Sequence, residues 1–217
     1  NITGQSFGGL MASGLLNVVG EHMNGLQIAG IANITASKLN GVQIALCNYA
    51  TQARGLQIGL VNYYKEDMKG FQLGLVNANP DTRVQMMVYG GNATPANIGV
   101  RFKNQLFYTI LGVGSMYQGL NDKFSASASY RAGLSFPLYK GLSISGDLGY
   151  QHIEAFDNKD EVIPKRLYAL QARANLEYQF TRKFGIFATG GYGLTRFYNK
   201  SSNYDKGAII EAGIVLF

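Results

Sequence analysis

A short repeat fills the first third of the chain and constrains the fold more than any other feature of the sequence. The spacings between successive units are 16, 16, 14 and 15 residues, for units that begin at Gly9, Gly25, Gly41, Gly55 and Gly70. Each unit ends in an asparagine, at Asn17, Asn33, Asn48, Asn62 and Asn77. A period near 15 residues is too short for a pair of helices and suits one strand followed by one turn. The repeat therefore predicts a series of β-strands.

Side chains alternate between two faces within a unit. Leu56, Ile58 and Leu60 fall on one face, and the other face carries small or polar residues such as Gln57. This is the pattern of a strand with one apolar side. The first two units contain one residue more than the later ones, visible at Ala29-Gly30, and an extra residue in a strand predicts a β-bulge.

Residues 82–217 contain longer alternating segments, in which apolar residues alternate with polar or small ones. The alternation lasts about twice as long as an ordinary soluble strand and suits strands that cross an outer membrane. Eight such strands are predicted, at 82–91, 96–103, 105–118, 124–138, 141–156, 166–180, 184–198 and 206–217. No run of apolar residues is long enough for a membrane-spanning helix. Strands therefore have to make any membrane crossing.

Connections between these strands also alternate in length. Short turns are predicted at 103–104, 139–141 and 181–183, and longer polar loops at 119–123, 157–166 and 199–206. Tyr and Phe residues recur near the predicted strand ends. Short turns on one rim, longer loops on the other and aromatic girdles at both rims are typical of outer-membrane barrels.

Both ends of the chain suggest export to the outer membrane. The final strand ends in Phe217, which resembles the C-terminal signal read by the barrel assembly machinery, although Phe217 shares its phase with Glu211 and not with the apolar Leu216. Asn1 is not preceded by a basic and apolar leader. We therefore expect a signal peptide that has already been removed.

The repeat units read like Gly-Leu-Gln-Ile-Gly-Leu-Val-Asn, the sequence at 55–62. In this motif, which covers residues 9–77, the chain resembles the outer-membrane β-barrel proteins described as surface-repeat-containing. The resemblance implies a location in the outer membrane. It implies no particular reaction and assigns no functional residue.

Counting strands leads to one fold prediction and one alternative. Five repeat strands and eight later strands make thirteen, and residues 1–7 supply a fourteenth because bacterial single-chain barrels have even strand numbers. We predict an all-β fold, an antiparallel transmembrane β-barrel of about 14 strands. It forms a single domain over residues 1–217, with repeat strands at 9–77 and longer strands at 82–217. The alternative is an 8-stranded barrel preceded by a repeat β-solenoid. In a solenoid equivalent residues of the repeats stack on one another, so a ladder would form from Gln27, Gln43, Gln57 and Gln72.

Charged residues on the inward phase of the strands are the candidates for lining a barrel lumen. They are Arg83, Arg101, Arg131, Asp147, Arg173 and Glu177, with Glu211 as a further candidate. Burying such charges costs several kcal/mol each unless they are paired or hydrated, so the mixed signs predict an ion-pair network or a hydrated channel. A barrel of about 14 strands leaves space inside, whereas side chains fill one of eight. Strand number therefore decides between a pore and a plug.

Few residues suggest chemistry. His152 and Glu154 lie two positions apart near a strand end, where a lipid-modifying enzyme could use a histidine; a polar pair at the level of the lipid headgroups is the simpler interpretation. The two histidines and Cys47 are too far apart in sequence to predict a metal site, and we predict no metal and no cofactor. We interpret Cys47 as a small packing residue. The net charge of +6 comes from scattered residues, which argues against nucleic acid as a partner.

These observations predict a non-enzymatic outer-membrane β-barrel of a Gram-negative cell that acts as a structural or accessory subunit of an envelope complex. A small passive diffusion channel of the porin kind is the alternative, and a lipid-modifying enzyme is a remote one. The expected partners are outer-membrane lipid, the barrel assembly machinery during biogenesis and other outer-membrane proteins. The candidates for lateral packing against such a protein are Leu56, Ile58, Leu60, Phe71 and Leu73, with plain contact to lipid as the rival interpretation.

Overall fold

The structure, a computed structural model, describes residues 1–115, 124–156, 166–198 and 203–217. The described chain consists mainly of β-strands and divides into two compact units, Asn1–Thr82 and Arg83–Phe217. Among the described residues, no helix is long and apolar enough to cross a membrane.

The first unit is a parallel β-solenoid, in which each turn of the chain forms a coil that stacks on the coil before it. Its strands are β1 (Ile2–Thr3), β2 (Phe7–Ser13), β3 (Leu16–Val19), β4 (His22–Ala29), β5 (Ala32–Ile44), β6 (Cys47–Ile58), β7 (Val61–Leu73) and β8 (Val76–Ala78). Equivalent positions of successive repeats pair with one another, for example Gly41 with Gly55 and Asn33 with Asn48. The prediction of one barrel of about 14 strands is therefore wrong, and the alternative of a solenoid followed by a barrel is confirmed.

Two buried ladders of amide side chains explain why the repeats stack in parallel. The Nε2 atoms of Gln43 and Gln57 each donate a hydrogen bond of 2.8 Å to the glutamine of the preceding coil. The Nδ2 atom of Asn48 donates to Asn62 Oδ1 at 2.9 Å, and the same bond recurs between the asparagines of the other coils. Buried amides need such partners. An antiparallel arrangement would send alternate asparagines to opposite rims and break the ladder.

The extra residue of the early repeats lengthens a strand and does not form the predicted bulge. Ala29 pairs with Ser13 at the end of an unbroken ladder between β2 and β4. The register shifts instead between Thr35 and Lys38, in the middle of β5, where the chain passes from one parallel ladder to the next.

The second unit is a closed antiparallel barrel. Within the described residues, eight strands close the ring: β9 (Arg83–Gly91), β10 (Ala96–Asn104), β11 (Phe107–Ser115), β12 (Ser125–Tyr139), β13 (Leu142–Ala155), β14 (Arg166–Thr181), β15 (Phe184–Phe197) and β16 (Asn203–Leu216). Strand β16 pairs with β9 and completes it. The eight predicted strands are recovered with small differences at their ends. Three short turns follow β10, β12 and β14, as predicted, whereas the predicted loop at 119–123 and most of those at 157–166 and 199–206 lie outside the described residues.

The barrel strands follow the predicted alternation closely. In β14 the side chains of Leu167, Ala169 and Gln171 are buried, while Leu170 is 48% exposed. Aromatic rings contact one another near the short turns, where Tyr178 and Phe180 lie 4.8 Å apart between ring centroids. The barrel is therefore polar inside and apolar outside, which is the reverse of a water-soluble protein and the arrangement of a membrane barrel.

Candidate functional site

Three bidentate ion pairs lie among the described buried side chains of the barrel interior. Arg101 donates to both carboxylate oxygens of Glu177, at 2.6 and 2.9 Å, and also to Gln85 at 2.6 Å. Arg131 donates to both oxygens of Asp147 at 2.8 Å. These bidentate pairs are the strongest kind of ion pair that side chains form. The predicted ion-pair network is therefore present for these four residues.

Arg173 and Glu211 form the third pair. Two nitrogens of Arg173 donate to the two oxygens of Glu211 at 3.2 Å, and Glu211 lies 3.7 Å from a nitrogen of Arg131. Three arginines thus face three carboxylates, so the charges of the network sum to zero. Burial of these groups is tolerable because each charge has an opposite charge within reach.

Two of the ion-pair contacts cross the lumen, and the others join strands that are adjacent or two places apart in the ring. Arg101 lies on β10 and Glu177 on β14, four strands apart in a ring of eight, so this ion pair joins opposite walls. Tyr108 on β11 donates to Asp147 on β13 at 2.7 Å, and Asn175 on β14 donates to the same carboxylate at 2.8 Å. The side chains therefore brace the barrel internally and occupy its centre.

Inward glycines make room for these long side chains. A Cβ atom at Gly133 would lie 2.7 Å from Asp147 Cβ and 2.8 Å from Tyr108 Cζ, and one at Gly149 would lie 3.1 Å from Arg131 Cγ. The sequence prediction missed this role of glycine. The signal that could have revealed it is the alternation of glycine with large residues at inward positions of neighbouring strands.

Apolar clusters lie on both sides of the polar network. One contains Met87, Tyr89, Phe187 and Val215, with Phe217 packed against it, and the other contains Ile153 and Leu167 near the opposite rim. Phe217 therefore lies with the inward residues, as its shared phase with Glu211 indicates. The described side chains fill the middle of the barrel, as expected for eight strands. Cavities of about 450 and 500 Å³ open at its two ends, lined by Gln171 and Thr195 at one end and by Gln85 and Glu177 at the other.

Arg83 is the one predicted lumen residue that the structure leaves outside the network. It lies at the first position of β9 and is exposed. Its neighbours at this rim include Gln179 and Phe217. The alternation along β9 places the Arg83 side chain on the inward face, as predicted. The alternation could not show that this position lies at the mouth of the barrel.

His152 and Glu154 belong to an outward cluster near the other rim. His152 Nδ1 lies 2.7 Å from the Tyr198 hydroxyl and its Nε2 lies 3.3 Å from Glu154. Arg166 donates to Glu154 at 3.1 Å, and the Tyr168 ring packs 5.1 Å from that of Tyr198. Both nitrogens of His152 thus contact groups other than a serine, and the cluster resembles the amphipathic belt at a membrane surface.

Tyr198, which follows the last residue of β15, keeps its proton. Desolvation and then its hydrogen bond with Tyr150 raise the pKa of Tyr198 to about 12. A phenol with such a pKa is a hydrogen-bond partner at neutral pH and not a general base. Tyr198 is therefore a hydrogen-bonding member of this cluster.

The lateral packing candidates all lie on the outside of the solenoid. Phe71 is 70% exposed and Leu73 is 58% exposed, and Leu56, Ile58 and Leu60 also point outward. We define the apolar edge as the positions of Leu56, Ile58, Leu60, Val61 and Tyr63 together with their equivalents in the other four coils. These positions lie on the two parallel ladders and on the turn that joins them.

None of the 25 residues of the apolar edge is charged. Charged side chains of the coils collect on the opposite edge, at Glu21, Lys38, Arg54, Lys65, Glu66, Asp67 and Lys69. Cys47 is exposed and belongs to the apolar edge, so its interpretation as a small packing residue is wrong. The solenoid is therefore amphipathic across its width.

Among the described residues, no group of three or more His, Cys, Asp or Glu side chains could hold a metal ion. No protein-family model matches the chain, and no curated protein matches it.

Similar solved structures are known. The chain is similar to the N-terminal β-barrel domain of OprF from Pseudomonas aeruginosa, with 17% identity, coverage of 61% of this chain and 93% of that one, and a TM-score of 0.40. It is similar to Neisserial surface protein A, with 9% identity, coverage of 61% and 92%, and a TM-score of 0.38. It is also similar to the outer membrane protein Ail of Yersinia pestis, with 15% identity, coverage of 63% and 99%, and a TM-score of 0.38. The barrel fold of this chain follows from its own strand pairing.

Proposed function

We propose that this chain is a non-enzymatic integral protein of the outer membrane of a Gram-negative cell, and that it acts as a structural or accessory subunit of an envelope complex. Its barrel crosses the bilayer as an anchor. Membership of the surface-repeat-containing family is part of the same proposal. So is recognition of the terminal strand by the barrel assembly machinery.

The outer surface of the barrel supports a place in the membrane. Outward residues of β14 are uncharged from Tyr168 to Phe180. Twelve steps of about 3.3 Å at a tilt of about 45° cover about 28 Å, close to the apolar band of roughly 25 Å on outer-membrane barrels. The outward charges Glu154 and Arg166 lie beyond this band, near the rim opposite the short turns. Lys206 lies at the edge of the band, in register with Leu194 and, through it, with Leu170. Hydrocarbon is therefore a suitable solvent for the band.

The occupied interior favours an anchor over a channel. The single observation that carries this conclusion is the Arg101–Glu177 pair, which joins opposite walls of an eight-stranded ring. A continuous water path would have to displace a buried bidentate ion pair, and separating such a pair is strongly unfavourable.

Conductance in a planar lipid bilayer tests this conclusion. The purified full-length protein is expected to give no steady ionic current. The double variant Arg101→Ala/Glu177→Ala removes the cross-lumen pair without leaving a lone charge, and it shows whether the assay detects an opened barrel. The matched control is Arg83→Ala at the rim. Stepwise currents through the wild-type protein would support the channel and reject the anchor.

The accessory role predicts a stable assembly in the native membrane. Extraction in a mild detergent is expected to yield a particle larger than the 23.6 kDa chain in its detergent micelle, with other envelope proteins at fixed stoichiometry. Recovery of the chain only as a monomer would contradict this role and leave the anchor itself unaffected. The lipid-modifying alternative predicts that His152→Ala changes the membrane lipid profile; we expect an unaltered profile.

A further inference from the structure

The apolar edge of the solenoid exposes a large surface that the described solenoid itself leaves uncovered. Residues at the turn positions, such as Leu15 and Leu46, are 65% and 48% exposed. Contiguous apolar surfaces of this kind mark sites of association with protein or lipid. The physical question is therefore which substance covers the edge.

The composition of the edge favours lipid over protein. Leu, Ile and Val supply 18 of the 25 positions, and Tyr49, Tyr63 and Phe71 are the aromatic members. Protein interfaces are enriched in Tyr, Trp and Arg and contain about one hydrogen bond per 100–200 Å². The edge contains no Arg and only two Tyr, and it offers a protein few polar atoms to recognise. Hydrocarbon chains need none.

Its shape leads to the same occupant. The edge includes the outward sides of both ladders and the turn between them, so it is convex. A second copy of the chain or another rigid protein would cover one side and leave the other in water. A fluid phase such as the interior of a bilayer can cover all three parts together.

Several backbone groups of the turns pair from coil to coil, which a lipid environment favours. Cys47 N donates to Ile31 O at 2.8 Å, Val61 N donates to Leu46 O at 2.9 Å, and Val76 N donates to Leu60 O at 2.9 Å. In a water-exposed turn such groups could bond to solvent. In hydrocarbon, an unpaired backbone group costs several kcal/mol, so closing these bonds from coil to coil suits immersion in lipid.

The asparagine ladder supplies further hydrogen bonds at the turns. Asn33 Nδ2 donates to Ile44 O at 2.9 Å, and Asn48 Nδ2 donates to Ile58 O at 2.8 Å. These carbonyls lie where the strand enters the turn. Asn17, Asn33 and Asn48 therefore each bind both the next asparagine of the ladder and the backbone next to the apolar edge.

We infer that the apolar edge of the solenoid inserts into the hydrocarbon of a lipid bilayer, so that this chain contacts the membrane through two separate elements. The inference rests on the proposed function in one respect, the membrane-spanning barrel. Only four residues separate β8 from the first strand of the barrel, and this short link keeps the solenoid at a high local concentration near lipid. The opposite, charged edge stays in a polar environment.

A fluorophore on the single native cysteine tests the inference in the full-length protein. The protein is reconstituted in phosphatidylcholine vesicles with an NBD label on Cys47. Its quenching is then measured with nitroxides on the lipid acyl chains and with iodide in the water. The matched control is Cys47→Ser/Arg54→Cys, which places the label on the same strand, β6, but on the charged edge. A third protein, Cys47→Ser/Ile210→Cys, reports on the outward face of the barrel, where Ile210 is 66% exposed.

The expected result is several-fold stronger acyl-chain quenching at Cys47 than at Arg54→Cys, with Cys47 matching Ile210→Cys. Strong iodide quenching at Cys47, with Ile210→Cys still in hydrocarbon, would overturn the inference and leave the proposed function standing. Water access at Ile210→Cys would instead reject the membrane barrel. A label at Cys47 that is protected from both quenchers, but loses this protection when the protein is diluted in lipid, would show that a second copy covers the edge. This result would also overturn the inference.

A substitution at the turn provides a second measurement. Leu60→Asp places a charge on the apolar edge, at the residue immediately before β7, whereas Lys65→Asp changes a residue of the charged edge within β7. We expect Leu60→Asp to decrease acyl-chain quenching at Cys47 several-fold while the circular dichroism spectrum is retained, and Lys65→Asp to leave it unchanged. Equal quenching in both variants would contradict insertion of the edge.

Discussion

Replacing Gly41 by alanine tests how closely the coils of the solenoid must stack. Gly41 has φ of +142°, and a Cβ atom there would lie 1.9 Å from the carbonyl oxygen of Gly25 in the preceding coil. Ordinary contacts begin at 3.4 Å, so the two coils would have to separate locally by about 1.5 Å, the difference of the two distances. Backbone hydrogen bonds do not survive such a separation.

The expected cost has two parts. A residue with a side chain in this region of φ costs about 1–3 kcal/mol, and loss of two ladder hydrogen bonds adds about 1 kcal/mol each. Gly41→Ala should therefore destabilise the solenoid by about 3–5 kcal/mol. Gly9→Ala is a matched control, because Gly9 has φ of +111° but a Cβ there meets nothing within 4 Å among the described residues. It should show only the backbone part.

Hydrogen–deuterium exchange of the full-length protein, resolved by peptide, measures these local costs. Loss of the two hydrogen bonds, about 2 kcal/mol, corresponds to about 30-fold faster exchange. Peptides from β4 to β6 of Gly41→Ala should show this factor in addition to the effect of the backbone strain. Peptides from the barrel should not change. If Gly41→Ala exchanges no faster than Gly9→Ala, close stacking at the glycines does not limit stability and the reasoning is refuted.

Three further substitutions test the polar interior and the terminal residue. Asp147→Asn removes the carboxylate that binds the buried Arg131 and should lower the free energy of unfolding by about 3–5 kcal/mol. A urea titration followed by circular dichroism measures this change. A loss below about 1 kcal/mol would contradict the pairing. Gln57→Ala removes two ladder bonds, one to Gln43 and one to Gln72, and should cost about 2–4 kcal/mol, roughly twice the cost of Gln72→Ala, which removes one bond at the end of the ladder. Exchange of solenoid peptides measures both costs. Equal costs would show that the ladder bonds contribute little. Phe217→Ala removes a ring that packs against the Met87 cluster and should reduce the fraction of newly made chains that resist protease in the membrane. Phe184→Ala, on the outward face, is the control. Similar assembly of both variants would contradict a role of Phe217 in assembly.

Strand alternation was enough to locate the eight barrel strands and to sort most of their residues. Positions such as Arg131, Asp147 and Glu211 follow from phase alone, because successive side chains in a strand point to opposite faces. Their pairing does not follow from phase. Which inward residues meet across the lumen depends on strand stagger and on the space left by Gly133 and Gly149, and neither is visible in one strand.

The repeats were harder to interpret because a solenoid and a membrane barrel share one pattern. In both, an apolar side chain faces outward and a small or polar one faces inward, so Leu56 and Gln57 fit either fold. The decisive difference is whether neighbouring strands run parallel, which places like residues side by side. The recurrence of both Gln and Asn at fixed positions was the available signal, since unlike neighbours would leave those buried amides unpaired.

The stacked coils have a consequence for how this protein can change in evolution. Each coil contacts only those beside it, so a tandem duplication of one unit would add a rung to both amide ladders and lengthen the solenoid by about 4.8 Å. An odd-numbered insertion within a strand would turn the rest of that strand to the wrong face, although units of 14, 15 and 16 residues stack here because the differences fall near the turns. Growth of this element is thus limited to whole units, and relatives of different length should differ by multiples of about 15 residues while the barrel keeps its size.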